Sequence, residues 1–103
     1  MSLVTKRRQM ERDIERKLVQ KVKRSGGLAF KFVSPGLAGV PDRIVLMPKG
    51  QICFVEVKAP GKKMRPLQTK RKKAIEKLGF KVYCVDSFEK INRLIDEMGG
   101  DAK

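Results

Sequence analysis

Pro41-Asp42-Arg43-Ile44-Val45-Leu46-Met47-Pro48-Lys49-Gly50-Gln51-Ile52-Cys53-Phe54-Val55-Glu56-Val57-Lys58 is the stretch on which the fold turns. Two apolar, β-branched runs flank a Pro- and Gly-containing turn, which predicts a hairpin with strands at about 43–47 and 52–58. A three-residue turn, Pro48-Lys49-Gly50, would set Met47 opposite Gln51 and carry Asp42 directly opposite Glu56. Gly50 then falls where this hairpin type needs a left-handed residue. A two-residue turn would split the two carboxylates between faces. Glu56 and Lys58, two apart on one strand, share a face in either case. Paired carboxylates at the end of an apolar hairpin repel each other unless a positive charge lies between them. A divalent cation is the natural candidate, with Lys58 beside it to steady or activate a water.

Around that hairpin, Ile14, Leu18 and Val22 recur every fourth residue and predict a helix from about Gln9 to Arg24, ended by Gly26-Gly27. Glu11 and Glu15 lie along one side of it. Leu28 to Val33 reads as a strand and Ser34 to Gly39 as a loop. The hairpin strands are apolar almost without a break, so the expectation is central strands covered on both faces. Pro66 suits the first turn of a second helix, running to Leu78 with Leu67, Ala74, Ile75 and Leu78 inward and stopped by Gly79. Val82 to Val85 reads as the fourth strand. Asp86, with Glu89 three residues on, has the pattern of a helix cap. Ile91, Leu94, Ile95 and Met98 then form the apolar face of the last helix. The resulting class is α/β, a mixed sheet flanked by helices in the order α-β-β-β-α-β-α. One domain spanning residues 1–103 is expected, with frayed tails at about 1–8 and 99–103.

The chain carries 25 Lys and Arg against 11 Asp and Glu, a formal charge of +14. That excess repels itself, so a polyanionic partner is expected, DNA or RNA ahead of an anionic membrane surface. No apolar run reaches membrane-spanning length and the first residues lack the apolar core of a secretory signal, so the expectation is an intracellular, cytoplasmic protein. Cys53 and Cys84 fall inside strand patterns and read as reduced, buried thiols. With two cysteines and no histidine, a structural zinc site lacks its ligand set. Hard oxygen donors favour Mg²⁺ or Mn²⁺ instead.

These residues carry a family resemblance. Gly39-Val40-Pro41-Asp42-Arg43, Phe54-Val55-Glu56-Val57-Lys58-Ala59-Pro60-Gly61-Lys62 and Gln68 resemble the PD-(D/E)xK nuclease pattern. More narrowly, with Glu15 and the run Gly26 to Phe32 upstream, they resemble the small stand-alone form of the VRR-NUC domain. The resemblance implies a restriction-endonuclease-like core and a metal-dependent endonuclease that hydrolyses phosphodiester bonds. Asp42 and Glu56 would be metal ligands, joined by the backbone carbonyl of Val57. Lys58 would orient or activate the attacking water, and Gln68 would support the site from the second helix. Glu15 would reach the metal directly or through water, with Glu11 on the same helical side as the alternative.

The cations Lys62, Lys63, Arg65, Lys70 and Lys73 cluster around the start of the second helix and are expected to form a phosphate-binding rim. Lys31 could approach the site from the first strand. Stand-alone members of the family imply a homodimer acting on branched DNA such as the four-way (Holliday) junction. Phe88, Ile91, Leu94, Ile95 and Met98 of the last helix offer one source of apolar interface. A flap or single-strand nuclease is the nearest alternative. A non-catalytic basic nucleic-acid-binding protein explains the charge but leaves Asp42 and Glu56 without a purpose.

Overall fold

The computed structural model describes residues 10–99, so the expectations for Gln9 and for most of both tails lie outside the described residues. Helix α1 (Glu11–Arg24) is followed by β1 (Leu28–Lys31), β2 (Arg43–Met47), β3 (Gln51–Val57), α2 (Pro66–Lys77), β4 (Lys81–Val85) and α3 (Phe88–Glu97). The strands form one sheet in the order β1-β2-β3-β4. The first two pairings are antiparallel and β3–β4 is parallel, because α2 carries the chain back across the sheet between them.

Pro48-Lys49-Gly50 is the three-residue connection, and Met47 stands opposite Gln51 as that turn requires. Gly50 has φ +75°, and Lys49 beside it also takes a left-handed φ of +68°. The rest of the ladder follows in step, Val45 opposite Cys53 and Arg43 opposite Val55.

The two faces of this sheet have different fates. Val45, Met47, Cys53, Val55, Val57 and Val85 point to one side and pack against Ile14, Leu18 and Val22 of α1 and Ile91, Leu94 and Met98 of α3. Every fourth residue of α1 is apolar, so its stripe faces the sheet without a polar interruption. Gly27 lets α1 dock, since a Cβ there would sit 2.4 Å from the Leu46 carbonyl oxygen.

The opposite face departs from the expectation that both sides would be covered. Helix α2 lies on that side, in contact with β4, and buries none of its own residues. Leu78, expected inward, is 76% exposed; Leu67 and Ala74 are also exposed, and Ile75 is only half-buried. Four basic residues in a row, Lys70 to Lys73, leave α2 too small an apolar stripe to seat deeply.

Three further expectations are corrected. The cap of α3 is Ser87, whose Oγ accepts from the Lys90 N–H at 3.2 Å. Asp86 instead accepts from the Gly61 N–H (3.2 Å) and pairs with Lys90 (3.1 Å), tying the loop after β3 to the end of β4. The apolar side chains Ile91, Leu94 and Met98 belong to the core of the protomer, so they are not available as an interface. Phe88 remains partly exposed, with Lys17 Nζ 5.2 Å from its ring centre. Strand β1 is shorter than expected, ending at Lys31, although the Phe32 N–H still donates to the Asp42 carbonyl at 2.9 Å.

Candidate active site

The hairpin register fixes the site. One step beyond the Arg43–Val55 pair, the ladder brings Asp42 beside Glu56. Asp42 Oδ2 accepts from the Val57 N–H at 2.8 Å, so its side chain is held across the end of β3. Glu56 is only 2% exposed although it is a carboxylate. Its Oε2 accepts from Gln68 Nε2 at 2.7 Å and lies 3.5 Å from Lys58 Nζ, itself on a residue 8% exposed. Gln68 Oε1 in turn accepts from the Arg65 N–H at 2.8 Å, which orients the amide and joins Glu56 to the N-terminus of α2.

The other oxygen, Glu56 Oε1, is buried and meets no hydrogen-bond donor among the described residues. Burial, reinforced by the Asp42 charge and offset in part by Lys58, raises the Glu56 carboxyl to about 7. A buried carboxylate with an unsatisfied oxygen is costly unless a ligand compensates.

The loop that delivers Asp42 is strapped to α2. Arg71 Nε donates to the Ala38 carbonyl at 2.8 Å. Gly39, at φ +86°, lies so close to α2 that a Cβ would sit 2.8 Å from Leu67 Cγ. Arg71 lay inside the basic run in the sequence, where nothing separated it from its basic neighbours. Its role became visible only in the folded contact.

The chain matches the family model described as the VRR-NUC domain over residues 3–89. The chain belongs to the VRR-NUC domain family. It is 51% identical over 77 residues to a protein of Acyrthosiphon pisum secondary endosymbiont phage 1 named "Putative nuclease p44", covering 75% of this chain and 83% of that protein. A solved structure titled "VRR_NUC domain" superposes with a TM-score of 0.78 at 32% identity, covering 84% of this chain and 94% of its own. The fold is that of the PD-(D/E)xK nucleases, and the chain is a nuclease domain.

The VRR-NUC site fits a divalent cation by its donors. Asp42 and the free Oε1 of Glu56 are hard oxygen donors at one end of the sheet. Among the described residues no three carboxylate or thiol side chains converge into a ready-made cage. That composition suits a small ion held by two carboxylates and backbone carbonyls while it keeps several waters. The carboxylates of the first helix differ in what they meet. Glu15 Oε2 is taken by Arg43 Nε at 2.8 Å, and the same guanidinium donates to the Ala29 carbonyl at 3.1 Å. Glu11 is the α1 carboxylate whose charge reaches Glu56.

Lys62, Lys63, Arg65, Lys70 and Lys73 are all exposed, and none pairs with a described carboxylate. Lys72, in the same run, is occupied by Glu76 at 2.9 Å. Lys31 is exposed at the end of β1, but it sits in the alternate set of positions that shares the core-side face, away from Glu56. Cys53 and Cys84 are free thiols, the first buried and the second half-buried, and burial raises both. No helix among the described residues is long and apolar enough to cross a membrane.

Proposed function

We propose that this VRR-NUC domain is a structure-selective endodeoxyribonuclease that depends on Mg²⁺ or Mn²⁺, with four-way junction DNA as substrate and a homodimer as working unit. The observation that carries the reading is Glu56: a buried carboxylate set against Asp42, with one oxygen fixed by Gln68 and the other left open. A basic scaffold that merely bound nucleic acid would gain nothing from that pair, and acidic groups facing phosphate would weaken it.

When bound, the cation polarises the scissile phosphate and turns a water into an effective nucleophile at neutral pH. Asp42, Glu56 and the Val57 carbonyl would hold it, with Glu15 or Glu11 of α1 completing the shell through water. The Glu15–Arg43 pair favours Glu11 for that place. Lys58 offsets part of the burial that disfavours the Glu56 charge and orients the attacking water against the phosphorus. Gln68 fixes the Glu56 rotamer, so the donors need no rearrangement when substrate arrives. The exposed cations Lys62, Lys63, Arg65, Lys70 and Lys73 draw the phosphate backbone to the start of α2, next to Gln68.

One nuclease site per chain cuts one strand, and paired cuts across a junction need two sites related by a two-fold axis. End-labelled linear, flap and four-way DNA, each incubated with Mg²⁺, Mn²⁺ or EDTA, tests the whole reading. Cleavage only with cation, strongest on the four-way substrate, is the expected result. Strongest cleavage of flap or single-stranded DNA would move the substrate assignment and leave the nuclease intact. No cleavage of any DNA with either ion would remove it.

A further inference from the structure

Phe32 to Pro41 is the longest stretch without a charge in a chain of which 35% is charged. It leads directly into Asp42 and is exposed along most of its length. Val33 is 73% exposed and Leu37 46%, and Pro35, Gly36 and Ala38 are exposed as well. The loop is nonetheless held at its root, its tip and its returning limb. At the root, the Phe32 N–H donates to the Asp42 carbonyl at 2.9 Å, and the Phe32 ring lies 5.6 Å from that of Phe54. At the tip, the Leu37 N–H donates to the Ser34 carbonyl at 3.1 Å. That bond closes a turn with Pro35 second and Gly36 third, and Gly36 has the positive φ, +83°, that such a turn requires. The returning limb is the part strapped to α2 by Arg71. Beyond its chain neighbours, a Cβ on Gly36 would meet nothing within 4 Å among the described residues, so the tip stands clear of the fold. Leu67 of α2, against which Gly39 lies, is 41% exposed beside it.

We infer that this loop is a wedge that inserts Val33 and Leu37 among the bases at the branch point of the DNA. The inference rests on the branched-DNA reading of the active site and names the element that senses the branch. Hydrocarbon side chains gain nothing from phosphate. The apolar surface of nucleic acid is the faces of its bases, which stacking hides within a duplex. Opening an intact step is costly, whereas at a branch the stack is already broken, so one wedge distinguishes the two substrates. Rigidity serves this use. Pro35 and the Arg71 strap fix the loop before DNA arrives, so little order is lost on insertion. Its place agrees as well. Lys62, Lys63 and Arg65 precede α2 and Leu67 sits in its first turn, so a phosphate backbone drawn to those cations passes the loop. Leu37 is five residues from Asp42, hence no more than about 18 Å away by chain length. At about 3.4 Å per step, that is about five nucleotides.

Affinity of the full chain for four-way and linear DNA in EDTA provides the test, with 2-aminopurine at the branch to report unstacking. Binding of the parent should raise the 2-aminopurine emission. Val33→Ser with Leu37→Ser should abolish that rise and lower the four-way-to-linear affinity ratio by at least about 10-fold. The slope of log K against log salt should stay as in the parent, because no phosphate contact is removed. Leu37→Ala, a milder change, should lower the ratio in the same direction and decides the matter if the double variant fails to fold. Leu78→Ser, which removes an exposed apolar side chain at the C-terminal end of α2, should leave the ratio unaltered. A folded double variant with the parent's ratio overturns the inference, as does a parent that binds both DNAs equally. A double variant that alters only the sedimentation of the DNA-free chain overturns it too, since the loop would then be a contact between proteins. With Mg²⁺ or Mn²⁺ the parent should cut within about five nucleotides of the branch, and cuts only farther away would count against the wedge. A parent that prefers four-way DNA through these residues yet cuts nothing leaves the wedge standing and removes the nuclease reading.

Discussion

In the proposed reaction Glu56 is the residue on which the chemistry depends. Removing either carboxylate should abolish cleavage and spare DNA binding, because binding rests on the exposed cations rather than on the buried pair. Asp42→Ala and Glu56→Ala should therefore lose at least about 1,000-fold in cation-dependent rate while a gel-shift titration in EDTA is nearly unchanged. Lys58→Ala should lose activity comparably but still bind the ion, which calorimetry with Mn²⁺ would read. Glu56 also carries a pH signature. Its carboxyl titrates at about 7 in the folded chain, against 4.5 in the open chain. Between those values the folded state holds a proton that the unfolded state has released, so stability falls as pH rises through that window. Without divalent cation, Glu56→Gln should be more stable than the parent at pH 8, on the order of 1–3 kcal/mol, and nearly equal to it at pH 4. Thermal melts across that range check the sign. Saturating Mn²⁺ should reverse the order at pH 8, since only the parent gains from the ion. The pairing of Asp42 with Glu56 was legible from residue spacing, because a three-residue turn fixes the register arithmetically. The burial of Glu56 and the capture of Glu15 by Arg43 were not, since both depend on what packs above the strand.

At the scale of elements, α2 does two jobs that its sequence shows unequally. Gln68 marks it as a support for the site, and the structure gives that support a contact with Glu56. Arg71 and Gly39 show the second job, a strap that holds the Asp42 loop against α2. Gly39→Ala forces a side chain into Leu67 at a left-handed backbone position and should cost about 1–3 kcal/mol. Arg71→Ala should cost about 1 kcal/mol or less in stability. It should nonetheless raise the Mg²⁺ concentration for half-maximal cleavage several-fold by loosening Asp42, and Arg71→Lys should restore part of the loss. An unchanged Mg²⁺ requirement would make the strap purely structural. Helix α2 is also where sequence reading failed most plainly. Its apolar residues at 67, 74, 75 and 78 satisfied a helical period, yet none is buried, because periodicity says which residues share a face and not whether another surface covers it.

For the molecule as a whole, charge and apolar surface are segregated. Lys62, Lys63, Lys70 and Lys73 are exposed around the start of α2 and pair with no described carboxylate. Neutralising the four together should weaken binding to linear, flap and four-way DNA alike. If about three of them touch phosphate, the slope of log K against log salt should shrink by about 2–3. An unchanged slope would place the phosphate track elsewhere on the surface. DNA binding and self-association should thus respond oppositely to salt, one losing counterion release and the other losing repulsion.

The sequence by itself determined the element order, the hairpin register and the Asp42–Glu56–Lys58 set, because each follows from local periods and a turn of fixed length. Tertiary structure alone decided which sheet face is closed. The alternating apolar residues of β2 and β3 supply two equally hydrophobic faces, and only the docking of α1 and α3 on one of them, with α2 perched at the β4 side of the other, leaves Leu28, Phe30, Leu46 and Ile52 in water. Such a choice depends on contacts between residues far apart in the chain, and no local pattern encodes it.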